Sequence, residues 1–135
     1  MSKIVGGTEK QNAWAEKIRS EFIAGTEAQI GFARKSEKPW TRNVDRATVV
    51  MLTTARELAE TQTSAKWWID NRSRITAAAL QAITAETVTA KARQALADAQ
   101  AEGEDVDAVD VAAKVVTALV DHQGKFDRST ITFTF

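Results

Sequence analysis

The stretch SRITAAALQAITAETVTAKARQALADAQAEG, residues 73–103, constrains the fold more than any other part of the chain. It consists mostly of alanine, threonine and residues that form helices well, and a glycine, Gly103, stands at its end. Alanine-rich sequences favour helix, and glycine commonly follows the last helical turn. We therefore predict that a helix capped by Thr63 or Ser64 runs on through this stretch and ends at Gly103, either as one long helix or as two helices with a break near Thr84.

A helix start is also clear near the N-terminus. Thr8 and Gln11 form a T-x-x-Q pattern, in which the two side chains cap the first turn reciprocally. Trp14, Ile18 and Phe22 follow at four-residue spacing and so share one apolar stripe.

A glycine sets the expected end of this first helix. We predict helix over residues 8–24 and a stop at Gly25. A shorter helical piece, TEAQIGFARKS, is expected to follow, with Ile30 and Phe32 facing inward.

Two further segments have helical periodicity. DRATVVMLTTARELAETQ is β-branched in its middle, but its end is rich in alanine, glutamate and leucine, and we predict helix. EDVDAVDVAAKVVTALVDHQG begins with acidic residues, which favour a helix N-terminus, and ends at Gly124. Its apolar residues surround the helix nearly completely, which predicts a central helix or an interface. They form one stripe of Val109, Ala113, Val116 and Val120, with Val111 and Val115 on the other side.

The last residues change period. STITFTF alternates apolar and polar side chains, which predicts a half-buried strand, and a lone strand must pair with another. Residues 3–5, KIV, are one available partner, and a second copy or another protein would also serve. The predicted fold is a mainly α single domain over residues 1–135, a compact bundle of four to six helices with this short C-terminal strand.

Composition excludes several classes of function. The 135-residue chain has no cysteine, so disulfides, thiolate metal sites and cysteine nucleophiles are ruled out. Its N-terminal residues have no secretory apolar region, and no apolar run approaches the ~18 residues that cross a bilayer. We expect a protein of the bacterial cytoplasm without cofactor, metal or membrane partner.

Charge is distributed unevenly although the net charge is zero. Residues 1–74 hold 13 Lys and Arg against 9 Asp and Glu, a net +4, and residues 75–135 hold 5 against 9, a net −4. The segment 34–46 contains the only proline, Pro39, and is predicted to be a basic loop. Together with Trp67, this loop is predicted to bind a partner through Arg34, Lys35, Lys38, Trp40, Arg42 and Arg46. The acidic start of the fourth predicted helix is the alternative contact surface.

The adjacent tryptophans in SAKWWIDNR point in different directions on a helix that Thr63 or Ser64 would cap. Trp68 falls on the apolar face and is predicted to lie in the core. Trp67 falls off that face, so it is either exposed or covered by another segment such as the loop with Trp40. Arg72 falls near the middle of the apolar face, where it needs a carboxylate or a tryptophan face as its partner.

Two blocks resemble a known pattern. GGTEKQNAWAEKIRSEFI and TSAKWWIDNR are similar to EKQ…WAE-IR and AK-WID-R blocks in small orphan proteins of bacteria, phages and plasmids. The resemblance covers about the first half of the chain, and some small orphan proteins of mobile elements are anti-CRISPR inhibitors. It implies a shared helical framework of Gln11, Trp14, Ile18, Arg19, Trp68, Ile69, Asp70 and Arg72, and no catalytic residues.

Catalysis is not expected. The only histidine, His122, sits near a helix C-terminus, and EDVDAVD lacks the glycine and terminal glutamate of a calcium loop. The first hypothesis is a non-catalytic binding protein from a mobile element that inhibits a host protein complex, such as a CRISPR effector, by steric occlusion. The alternative is a nucleic-acid-binding accessory protein that uses the 34–46 loop. Homodimer formation is a further possibility.

Overall fold

The computed structural model describes residues 2–34, 42–103, 105–120 and 131, with backbone only for residues 42–45. Within these ranges the chain is a bundle of helices, which confirms the helical part of the prediction. Helix α2 contacts α1, α4 and α6, while α5 pairs with α6 and α3 packs against α1. The helices are α1 (Glu9–Arg34), α2 (Arg42–Glu60), α3 (Ala65–Asp70), α4 (Ile75–Leu80), α5 (Ala85–Ala101) and α6 (Ala108–Val120).

Helix α1 begins as predicted. The Thr8 N–H donates to Gln11 Oε1 at 2.9 Å, and the Gln11 N–H donates to Thr8 Oγ1 at 3.2 Å. This reciprocal pair satisfies two of the free N–H groups of the first turn.

The predicted stop at Gly25 is wrong, since α1 continues without a break to Arg34. A glycine inside a helix costs about 1 kcal/mol, which packing can offset. Here Thr26 and Ile30 extend the buried side of the helix beyond Gly25. Phe32 was also misplaced, because it is 83% exposed rather than inward.

Helices occupy both ends of the segment that was predicted to be a basic loop. Arg34 is the last residue of α1, and α2 already begins at Arg42, so residues 42–46 are helical. Residues 35–41, with Pro39, lie outside the described residues.

The alanine-rich region forms α4 and α5, with the predicted break at Thr84. Thr84 Oγ1 accepts the Thr87 N–H at 3.2 Å and caps α5, and Gly103 follows α5 with a φ of 74°. Ser64 caps α3 in the same way, since its Oγ accepts the Trp67 N–H at 3.3 Å. An additional break, which the sequence did not predict, falls between Asp70 and Ile75.

Helix α6 is buried on a broad face rather than all round. Val111, Val115 and Leu119 are fully buried, whereas Val109 is 69% exposed and Ala113 is exposed too. The buried face of α6 is therefore centred on Val111, Val115 and Leu119, and the predicted stripe is wrong at Val109 and Ala113. The predicted end at Gly124 lies outside the described residues.

Two hydrophobic clusters form the core. The larger joins α2, α4, α5 and α6, and the smaller consists of Ile4, Ala15, Ala59, Ala65 and Trp68. Phe22 and Trp67 pack against both clusters and connect them.

The N-terminal segment pairs with the chain before α3. The Val5 N–H donates to the Thr63 carbonyl at 2.8 Å, and the Ala65 N–H donates to the Val5 carbonyl at 3.1 Å. These two hydrogen bonds form a single parallel bridge between Val5 and Ser64. Apart from Ile131, which is in no strand and packs partly buried against the larger cluster, the predicted strand lies outside the described residues.

Candidate binding surface on helix α1

Helix α1 carries two neighbouring lines of side chains, and the second of them has strictly alternating four- and three-residue spacing. The buried line includes Ala15, Arg19, Thr26 and Ile30 and faces α2 and α3. The second line lies roughly 120° around the helix from the first. We call this second line the outer seam, and its members are Trp14, Ile18, Glu21, Gly25, Ala28 and Phe32.

The outer seam presents an exposed aromatic ring at each end. Trp14 is 47% exposed and Phe32 is 83% exposed, and they lie about five helical turns, or roughly 27 Å, apart on the same face. Gly25 and Ala28 between them are exposed and small, and Glu21 is the seam's charged residue. Spacing of this kind is the pattern by which one helix packs along another.

Arg72 lies over the ring of Trp14. The Arg72 guanidinium lies 5.4 Å from the centroid of the Trp14 ring, and its Nη1 donates to the Ile69 carbonyl at 2.5 Å. Of the two partners predicted for Arg72, a carboxylate or a tryptophan face, the structure shows the face of Trp14. Arg72 is exposed rather than buried, because α3 ends at Asp70 and the residue lies in the following turn.

Internal contacts fix α1 beneath the seam. Arg19 is 5% exposed, its Nη1 donates to the Ser2 carbonyl at 2.6 Å, and its Nη2 lies 3.7 Å from Glu16 Oε1. Glu27 Oε1 lies 3.3 Å from Arg56 Nη1 on α2. The seam is therefore carried by a helix that is anchored at both halves, which preorganises the surface for binding.

Trp67 lies in packing between the two clusters. It is half-buried, and its ring meets the Trp68 ring edge to face with 5.0 Å between centroids. Trp68 is fully buried, as predicted, and its Nε1 donates to the Gln62 carbonyl at 3.0 Å. Trp67 is therefore partly covered, which is one of the two alternatives that the sequence left open, and its role in binding a partner stays a prediction.

The predicted basic contact residues are not gathered into one described site. Arg34 is exposed at the end of α1, whereas Arg46 is on α2 and pairs with Glu102, which follows α5. The backbone of Arg42 lies in α2, but its side chain is not described. Lys35, Lys38 and Trp40 lie outside the described residues.

Cations flank the Trp14 end of the seam. Lys10 and Lys17 are exposed one turn before and after Trp14, and Lys17 Nζ lies 4.0 Å from Glu21 Oε1. On α3, Lys66 Nζ donates to Asp70 Oδ2 at 2.7 Å, and this hydrogen bond and the charge of Asp70 raise the pKa of Lys66.

Among the residues that the structure describes, no three side chains of His, Cys, Asp or Glu are grouped so that they could hold a metal ion. The described helices likewise include none with the length and apolar character needed to cross a membrane. The only histidine, His122, lies outside the described residues.

Comparison with protein-family models, with curated proteins and with solved structures finds no match to this chain. A function therefore has to be inferred from the chain's own surface.

The outer seam cannot be predicted from a first helix that ends at Gly25. The signal was present, since the spacing that begins at Trp14 and Ile18 continues through Gly25 and Ala28 to Phe32. Only an unbroken helix places Trp14 and Phe32 on one face.

Proposed function

We propose that the protein is a non-catalytic binding protein that docks on a partner protein through the outer seam of α1. The observation that carries this proposal is the exposure of Trp14 and Phe32 on one face of a single anchored helix. Large exposed apolar side chains that share a face mark interaction sites in soluble proteins.

The chemistry of the seam favours a protein as the partner. Tryptophan and arginine are the residue types most enriched among those that dominate protein–protein binding energy, and here Trp14 and Arg72 lie in contact. Gly25 and Ala28 leave a shallow region between the two rings that an apolar side chain of the partner could fill. Nucleic acid instead requires a track of cations, and the seam itself carries none.

The mechanism that fits such a surface is steric occlusion. A bound chain of this size would cover the partner's own binding surface without altering it chemically. The resemblance of the EKQ…WAE-IR and AK-WID-R blocks to orphan proteins of mobile elements supports a host protein complex, such as a CRISPR effector, as the target class.

Affinity capture from a bacterial lysate tests the proposal. The wild-type chain is compared with Phe32→Glu, which places a charge on the seam, and with Val109→Glu, which changes another exposed apolar residue, on α6. We expect a stoichiometric protein partner to be retained by the wild type and Val109→Glu and lost by Phe32→Glu. Equal capture by all three chains would contradict the role of the seam, and no partner in any of them would contradict the function.

A further inference from the structure

We infer that, in the absence of a partner protein, the outer seam of α1 is occupied by the outer seam of a second copy of this chain, in antiparallel orientation. The inference rests on the proposed function, because it names an occupant of the same surface. Its basis is the order of large and small residues along the seam together with the area that the seam leaves exposed.

The spacing of the seam reads the same in both directions. Its six positions are separated alternately by four and three residues, beginning and ending with four. Two antiparallel copies can therefore align every position of one seam with a position of the other. A two-fold axis between Glu21 and Gly25 gives this alignment, which is the closed symmetry of most homodimers.

In this register the two aromatic residues lie opposite each other, and the other two pairs each place a larger side chain opposite a small residue. Trp14 lies opposite the second copy's Phe32, so that both ends of the interface hold an aromatic pair. Ile18 lies opposite Ala28, and Glu21 lies opposite Gly25. Because Gly25 has no side chain, the Glu21 carboxylate keeps access to solvent and to Lys17, whose Nζ is 4.0 Å away.

A parallel pair would be much less favourable. It would place Glu21 against its own copy, and like charges at facing positions repel. It would also leave Gly25 opposite Gly25, with a gap between the helices that costs packing energy. The sequence of the seam therefore selects the antiparallel arrangement.

The exposed area is appropriate for a weak dimer. Aromatic side chains bury roughly 200 Å² when fully covered, so exposures of 47% and 83% leave on the order of 100 Å² of Trp14 and 150 Å² of Phe32. The rings of both copies then supply about 500 Å² of the roughly 1,000 Å² that a specific interface needs. Ile18, Ala28 and the flanking residues can supply the rest, which places the dimer at the small, reversible end of interfaces.

Sedimentation of the full-length chain over a wide concentration series gives the first test. We expect reversible dimerisation, a dissociation constant at least about tenfold higher for Phe32→Glu, and no change for Val109→Glu, with circular dichroism confirming that all three chains are folded. A monomer at every concentration, or an unaltered dimer of Phe32→Glu, would overturn the inference. Capture of a partner protein by the seam would still be possible in that case, so the proposed function is judged separately.

Cross-linking tests the orientation. The chain has no native cysteine, so Lys17→Cys and Ala28→Cys introduce single thiols at exposed positions beside and on the seam. In the antiparallel register, residue 17 of one copy lies close to residue 28 of the other. Two identical positions lie about 15 Å or more apart along the helices, too far for a disulfide.

We expect oxidation to link a mixture of the two variants and to leave each variant alone unlinked. Links within each single variant, with none specific to the mixture, would show a parallel pair and overturn the proposed arrangement.

Discussion

Trp68 and Trp14 are the same residue type in opposite environments. Trp68 is fully buried against Phe22 and donates its indole N–H to the Gln62 carbonyl, whereas Trp14 is about half exposed beneath Arg72. Trp68→Ala should lower the free energy of unfolding by about 3–5 kcal/mol, since it opens a cavity. Trp14→Ala should cost no more than about 1 kcal/mol. Urea unfolding of both variants checks the difference, and equal losses would contradict the assignment of Trp68 to the core.

Lys66 and Asp70 form an exposed pair whose effect is measurable as a titration. Their hydrogen bond and opposite charges raise the pKa of Lys66 in the folded chain. The pair's contribution to stability is therefore complete below the unfolded pKa of Lys66 and is lost as the pH rises through the folded pKa. Asp70→Asn should return the pKa of Lys66 towards its ordinary value, as followed by NMR of the Lys66 side chain. Because the pair is exposed, little change in stability should accompany this shift.

At the scale of the helices, the sequence predicted starts better than ends. The caps at Thr8, Ser64 and Thr84 are hydrogen bonds between residues three apart, so a short stretch of sequence is enough to predict them. The end of α1 depends instead on packing against α2, which offsets the cost of Gly25. The helical spacing does continue through Gly25 to Phe32, but spacing alone does not reveal this packing.

The turn after α3 was unpredictable for a related reason. It contains neither glycine nor proline, and the side chain of Asn71 ends the helix by donating to the Trp67 carbonyl at 2.9 Å. Both errors affected the candidate site. The predicted stop at Gly25 separated Phe32 from the helix of Trp14, and the missed turn after Asp70 placed Arg72 on the apolar face of a helix.

Gly31 in α1 and Gly7 just before it differ in the space around them, and alanine substitutions at both positions test this difference. A Cβ at Gly31 would meet no atom within 4 Å, so Gly31→Ala should stabilise α1 by about 0.5–1 kcal/mol. A Cβ at Gly7 would lie 2.9 Å from Gln11 Cβ and 3.1 Å from Ala65 Cβ. Gly7→Ala should therefore destabilise the chain by about 1–3 kcal/mol. Thermal unfolding of the two variants checks the opposite signs, and stabilisation by both would show that Gly7 is not confined by α1 and α3.

At the scale of the whole molecule, the pairing of charges bears on whether a nucleic acid could bind. The first half of the chain is basic by four charges, but several described cations are already paired across helices. Arg46 pairs with Glu102, Arg56 with Glu27, and Lys91 Nζ lies 2.6 Å from Glu57 Oε2. Cations that hold helices together are less available to displace the counterions of a phosphate backbone.

We therefore expect no measurable binding of the wild-type chain to single-stranded or double-stranded DNA at low salt, with fluorescence anisotropy as the measurement. If binding appears and weakens steeply as salt is added, Lys38→Glu with Arg42→Glu tests the 34–46 segment. Lys3→Glu with Arg93→Glu is the matched control, because it makes the same change in charge at two exposed positions outside that segment. Loss of binding in the 34–46 variant, with binding retained in the control, would replace the protein-binding proposal with the nucleic-acid alternative. Equal weakening in both would indicate a general effect of charge, because substituting any exposed cation would then reduce binding by a similar amount.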